Sequence, residues 1–322
     1  MPRFEIRPFG PADLDAAANL LADRHRRHRQ AWSALNPAYE DMAAARPLIE
    51  AILAREGASG SIVFAADRPV AYLLGAPKAA SWGANMWVDD AGSAGEDPEA
   101  IRAAYAHAAQ RWASEGKTRH YVVTPATDGP ILDAWFRLSF GMQHVHALRE
   151  LPSVDFAVRA APRLIVRPTQ AVDIDAVVAL DPILPTHSQA SPVFADVTPS
   201  SPEAARKDVE EELEDARFAP YVAEYDGCVV GAATFCSLDV SNINTLMLRP
   251  RSAGFLGYVV VAPQARGLGA GRALADACLI WSRDNGYEWV ATDWRSTNLE
   301  ADRTWRAAGF RPTFYRLFRS IA

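Results

Sequence analysis

Residues 4–16 recur 160 positions further along the chain. Phe4-Glu-Ile-Arg-Pro-Phe-Gly-Pro-Ala-Asp-Leu-Asp-Ala16 resembles Leu164-Ile-Val-Arg-Pro-Thr-Gln-Ala-Val-Asp-Ile-Asp-Ala176, with Arg7-Pro8 falling on Arg167-Pro168. Each copy reads as a short strand, a turn with Asp at a helix N-cap, then a helix. A second pair follows in the same order. Ile62 to Tyr72 matches Tyr221 to Gly231, two apolar strands around an Asp-containing turn, which predicts a hairpin. A third pair lies near the two ends: Phe140-Gly141-Met142 against Ala308-Gly309-Phe310, a shift of 309 − 141 = 168. Three matches in one order predict two tandem copies of a single α/β (α+β) fold. The expected boundaries are 1–155 and 163–322, joined near Pro152 to Pro162. A length of 322 residues suits two domains.

Bulk composition excludes several classes. Hydrophobic residues make up 49% and charged residues 22%, as in ordinary globular chains. No apolar run approaches the ~20 residues of a membrane span. No apolar signal core follows the first charges at the N-terminus, so a cytoplasmic location is expected. Cys228, Cys236 and Cys278 are few and lack metal-ligand spacing, so neither a disulfide framework nor a metal site is expected. A net charge of −6 argues against nucleic-acid binding and leaves a small cationic partner open.

The most specific motif lies in the second copy. Phe255 to Ala262 is a continuous apolar, β-branched run that reads as a buried strand. Pro263 ends it, and Arg266-Gly-Leu-Gly-Ala-Gly-Arg272 leads into a helix with Leu274, Cys278 and Trp281 on one face. A strand feeding a glycine-rich turn that opens a helix is an anion site. The glycines let the backbone approach phosphates, and Arg266 and Arg272 add charge-assisted hydrogen bonds. A plain strand–helix turn is the alternative, and the arginine before the first glycine weighs against it.

Arg266-Gly-Leu-Gly-Ala-Gly271 resembles the acetyl-CoA signature of the GCN5-related N-acetyltransferases (GNAT). The likeness covers residues 164–322, most specifically Phe255 to Phe318. It implies a mixed, mostly antiparallel sheet in each copy, flanked by helices and splayed between its fourth and fifth strands. Acetyl-CoA is then the co-substrate and no metal is needed. Backbone groups of Val259, Val260 and Val261, beside Tyr258, would pair with the pantetheine arm. The loop residues Arg266, Gly267, Leu268, Gly269, Ala270, Gly271 and Arg272 would hold the pyrophosphate. Thr297 and Glu300 have capping-box spacing. The segment around them resembles a second family signature, in which Asn298 contacts the pantetheine or supports the splayed strand.

Asp293 lies five residues before Asn298. A Glu at that offset is the base in ribosomal-protein N-acetyltransferases, so Asp293 is the expected general base. Its other reading is a strand-end carboxylate that pairs with Arg295 or caps the next helix. Trp305 stands where the family usually has an acid Tyr, and indole cannot give up that proton. Trp305 is therefore expected to pack on the coenzyme. Tyr258 and Tyr315 are the possible replacement acids, each also readable as a core aromatic.

The first copy lacks this loop. At a shift of 168, Pro98, Ile101 and Ala103 fall under Arg266, Gly269 and Gly271. Pro125 and Pro130 fall under Asp293 and Asn298. Glu96 and Asp97 would repel a pyrophosphate. The first copy is therefore expected to keep the fold without the coenzyme site, an architecture that resembles mycothiol synthase.

Asp181 to Pro202 reads as a long proline-rich connection near an acceptor site, with His187 as a substrate-binding candidate or a surface histidine. Glu210 to Asp215 and the basic run Arg24 to Arg29 read by default as solvated helix faces. The expected activity is acetyl transfer to a primary amine of a small molecule by direct attack, in a monomer or homodimer. The competing expectation is a non-catalytic acyl-CoA sensor or scaffold.

Overall fold

The computed structural model describes residues 4–241 and 246–321. In chain order the first repeat comprises β1 (Glu5–Pro8), α1 (Leu14–Ala31), α2 (Met42–Leu53), β2 (Ser59–Ala65), β3 (Arg68–Gly75), β4 (Asn85–Val88), β5 (Ser93–Gly95), α3 (Pro98–Ser114), β6 (Arg119–Pro125), α4 (Gly129–Phe136) and β7 (Gly141–Glu150). The second comprises β8 (Leu164–Pro168), α5 (Ile174–Leu180), α6 (Ile183–Gln189), α7 (Pro202–Glu214), β9 (Phe218–Tyr225), β10 (Cys228–Ser237), β11 (Ala253–Val261), α8 (Ala270–Asp284), β12 (Trp289–Arg295), α9 (Leu299–Ala307) and β13 (Arg311–Ser320). Among the described residues, no helix is long and apolar enough to cross a membrane.

The repeat extends to single side-chain bonds. Arg7 grips Asp13 with both guanidinium ends (2.9 and 2.5 Å), and Asp13 accepts the Gly10 N–H at 2.9 Å. Arg167 grips Asp173 in the same way (2.6 and 2.9 Å), and Asp173 accepts the Gln170 N–H at 2.8 Å. Both hairpins turn through two positive-φ residues, Ala66-Asp67 and Asp226-Gly227, as tight two-residue turns require. Past the glycine loop the shift is 170. Gly129 at the start of α4 answers Leu299 at the start of α9, and Ser139 (φ +62°) answers Gly309 (φ +92°). The sequence expectation of 168 paired Gly141 with Gly309, whereas the equivalent left-handed residue in the first copy is a serine.

The molecule divides into two compact units that are not contiguous segments. One takes Met1–Val145, Thr245–Arg251 and Thr313–Ala322; the other takes His146–Asn244 and Ser252–Pro312. In the first unit, β13 pairs antiparallel with β6, from Phe314 opposite Pro125 to Ser320 opposite Arg119. Leu317 is buried there with Val122, Trp112 and Trp135. In the second unit the sheet runs β12-β11-β10-β9-β8, and β7, whose residues from His146 onward belong to this unit, neighbours β12.

The basic run on α1 is a solvated, partly paired face only in part: Arg26 is exposed, Arg27 pairs with Glu96 and Arg29 with Glu40. Arg24, His25 and His28 are buried. Arg24 donates to the Ser93 carbonyl and, at 2.5 Å, to the Asp90 carbonyl. Burial pushes His28 down to about 3, with Arg24 adding to the shift, and pushes His25 down to about 4. The stretch after Asp181 also differs from the expected loop, because Ile183–Gln189 is helical. Pro182 and Pro185 sit at its start, where a missing N–H removes no helical bond.

Candidate active site

Strands β11 and β12 run parallel over a short span and then separate. Ala253 to Leu256 pair with Trp289 to Thr292. The Thr292 hydroxyl donates to the Leu256 carbonyl at 2.9 Å, at the last paired position. On its other side β11 stays paired with β10 as far as Val261 opposite Gly231, with Gly257 bulged out between Leu256 and Tyr258. From Tyr258 to Val261 one backbone edge therefore has no strand partner among the described residues. Unpaired N–H and C=O groups on such an edge suit an extended ligand added as a strand.

The edge leads into the glycine loop. Gly267 and Gly269 have φ of +85° and +82°, and a Cβ at either would meet nothing within 4 Å. Their constraint is backbone conformation, and the space above them is open. Gly269 is the N-cap of α8 and supplies no side-chain cap, so the first N–H groups of the helix face that space. The loop fits a pyrophosphate on these grounds.

Paired arginines frame the cradle. Arg266 pairs with Glu300 at 3.1 Å. Arg272 donates to the Ala307 carbonyl at 2.9 Å and to Asp276 at 3.2 Å. Asp276 is fully buried and is also gripped by both ends of Arg159 (2.9 and 2.6 Å). The cleft has a volume of about 630 Å³, and its lining carries Arg266, Arg272 and Arg303 against one carboxylate, Glu300. That balance favours an anionic ligand. Arg303, Ile183 and Leu184 were missed in the sequence, where nothing showed which faces of α9 and α6 turn to the cleft.

The structure brings together Val259 to Val261, Arg266, Gly267, Gly269 to Arg272, Asn298, Trp305 and His187, all in the lining of this cleft. Asn298, not Thr297, caps α9, and its side chain accepts the Ala301 N–H at 3.1 Å. Trp305 is 8% exposed and meets Phe310 edge-on. Leu268, Tyr258 and Asp293 are not in the lining. Leu268 and Tyr258 pack against the cluster of Leu180, Val260 and Ala265, and burial pushes the Tyr258 phenol up. Asp293 is half-buried on β12, directly after Thr292, where the two strands part. Tyr315 packs against the core of the other unit. The acidic face of α7 is partly turned inward: Glu212 accepts the Thr234 hydroxyl at 2.7 Å, and burial pushes its carboxyl up.

In the first unit the matching helix N-terminus is occupied by its own chain. Asp97 caps α3 and accepts the Glu99 N–H at 2.9 Å. Asp97 thus stands as N-cap where the second copy has Gly269, and further on, at the shift of 170, Val123 answers Asp293. Arg102 answers Arg272 and is held by Glu99 at 2.9 and 3.0 Å. Asp128 answers Asn298 and caps α4 in the same manner, accepting the Ile131 N–H at 3.2 Å.

A sheet splayed beside an open glycine cradle defines an acyl-coenzyme A-binding fold. Comparisons with known proteins agree. The acetyltransferase (GNAT) family model matches residues 187–310. The aminoglycoside N(6')-acetyltransferase type 1 of Stenotrophomonas maltophilia is 36% identical over 108 residues, which are 33% of this chain and 69% of that protein. The crystal structure of a GCN5-related N-acetyltransferase from Sphaerobacter thermophilus shares the fold, with a TM-score of 0.56 and 17% identity over 99% of this chain and 96% of that one. This chain belongs to the GNAT family, as a tandem member, and it is an acetyl-CoA-dependent N-acetyltransferase.

Proposed function

We propose that the second copy, residues 163–322, transfers the acetyl group from acetyl-CoA to a primary amine of a small molecule by direct attack. The observation that carries this is the continuity of one cleft from the cradle at Gly267–Arg272 to the free edge Val259–Val261. The cradle would hold the pyrophosphate, and the edge and Asn298 the pantetheine. Its N–H groups would also steady the oxyanion as the amine adds. Trp305 would pack on the coenzyme.

An alkylamine with pKa near ~10 must lose a proton before it attacks. Asp293, where the strands part, would take that proton directly or through water. No cysteine or serine is among the described lining residues, which favours direct attack over a covalent intermediate. The curated relative is named for aminoglycosides, which supports an amino sugar as acceptor. The test is thiol release by the full chain with acetyl-CoA across aminoglycosides, polyamines and amino-acid derivatives. Release with at least one amine is expected. Coenzyme binding without thiol release across the panel would refute transfer to these amine classes.

A further inference from the structure

Among the described residues lining the cleft, His187 carries the one imidazole, the side chain most often used to give or take a proton in catalysis. It sits in the last turn of α6, with Nε2 3.4 Å from Asn298 Oδ1. The Asn298 orientation follows from its other bond, since Oδ1 already accepts the Ala301 N–H at 3.1 Å. The imidazole nitrogen facing that oxygen must therefore be the donor. Nε2 keeps its hydrogen in both charge states, and Nδ1 is the nitrogen that gains and loses a proton.

The location fixes which proton is involved. Arg272 ties the C-terminal end of α9 to the cradle through the Ala307 carbonyl. Asn298 caps the opposite end, about 13 Å away for a helix of nine residues. A coenzyme held by its phosphates at the cradle and laid along Val259–Val261 would bring its acyl end toward that far end. The other charged groups sharing the cleft are Arg266 on the loop, Arg272 on α8, and Glu300 and Arg303 on α9.

We propose that His187 is the catalytic acid: its imidazolium gives the Nδ1 proton to the coenzyme sulfur as the C–S bond breaks, while Nε2–H stays on Asn298. This rests on the N-acetyl transfer reading. The amine nitrogen forms the new C–N bond. One proton of the starting ammonium leaves through the base to solvent. The second leaves the attacking nitrogen to solvent, and solvent returns one to imidazole. The net change is ammonium plus thioester giving amide, thiol and one proton.

Two measurements test it. In the first, CoA bound to the full chain is titrated by thiolate ultraviolet absorbance, with no amine present. A His187 imidazole beside the sulfur can take the thiol proton and hold the thiolate as an ion pair, so thiolate should appear at lower pH than in the His187→Gln variant, which keeps an N–H donor for Asn298. Equal titration in the two proteins overturns the proposal. In the second, His187→Gln should lower kcat with the best amine about 100-fold, leave the KM for acetyl-CoA within about threefold, and remove one limb of the kcat–pH profile. His187→Ala should be partly rescued by added imidazole. An unchanged kcat overturns the proposal. A thiol shift in a protein that acetylates no amine supports the His187–sulfur contact and sinks the transfer reading instead.

Discussion

Substituting Gly269 by alanine isolates what the cradle's backbone is worth. Gly269 has φ +82°, and no atom would crowd a new Cβ. The cost is thus conformational alone, about 1–2 kcal/mol for a non-glycine residue in the left-handed region. It can emerge in two places. If the loop keeps its shape, unfolding free energy falls by about 1–2 kcal/mol and CoA affinity holds. If the loop relaxes, stability holds and CoA binds roughly 5- to 30-fold more weakly. The two losses together should come to about 1–2 kcal/mol, so the fully loaded protein loses that amount either way.

Urea unfolding with and without saturating CoA, combined with calorimetric titration, measures both parts. Two controls accompany it. Gly271 is helical, and its Cβ would meet Val261 and Thr304 at an ordinary 3.8 and 3.9 Å, so Gly271→Ala should match the wild type or gain slightly. Gly286 has φ +77° at the far end of α8 and lies outside the cleft. Gly286→Ala should cost stability with no change in CoA affinity. Unchanged stability and affinity in Gly269→Ala, or a greater total loss in Gly271→Ala, would refute the reasoning.

Three further outcomes are expected. Asp293→Asn should lower kcat about 100-fold at pH 7, and undiminished activity across pH 6–9 removes Asp293 as base. Asp276→Asn should cost about 1–3 kcal/mol in urea unfolding, below the usual value for a broken buried pair because Arg159 is half exposed to water. Acid should destabilise the first unit through its buried histidines. His28 is pushed down to about 3, and His25 and His120 to about 4, in each case chiefly by burial. Their neutral forms favour folding in full above the unfolded value near ~6.5, and that contribution is lost as pH falls toward the folded values. Each removes about 1.4 kcal/mol per pH unit below ~6. His28→Phe should flatten the dependence of urea stability on pH between 6 and 4.5, and an unaltered slope would count against this account.

The fold was legible in sequence where a local rule repeats. Arg7 with Asp13 and Arg167 with Asp173 are bonds between residues six apart, so the motif carried its own partner. The strand running into Gly267 and Gly269 was legible for the same reason. Burial of Arg24 was not. Its acceptors are backbone carbonyls of Ser93 and Asp90, and any residue type offers a carbonyl. The offset of 170 was hidden because the left-handed position after α4 is filled by Ser139, while a nearby glycine drew the alignment. The meeting of His187 and Asn298 spans 111 positions and depends on how α6 lies over β11, which periodicity does not encode.

The placement of β13 has a consequence for how the chain is made. The first unit's sheet takes in residues from Thr313 onward, and Leu317 fills part of its core. The first unit therefore cannot close until the whole second repeat has been synthesised, since β13 follows α9 in the chain and pairs with β6. A premature stop after α9 would spare the entire glycine loop and still leave the opposite half of the chain unfinished. For this molecule a lesion in β13 is felt in the unit that holds the first repeat.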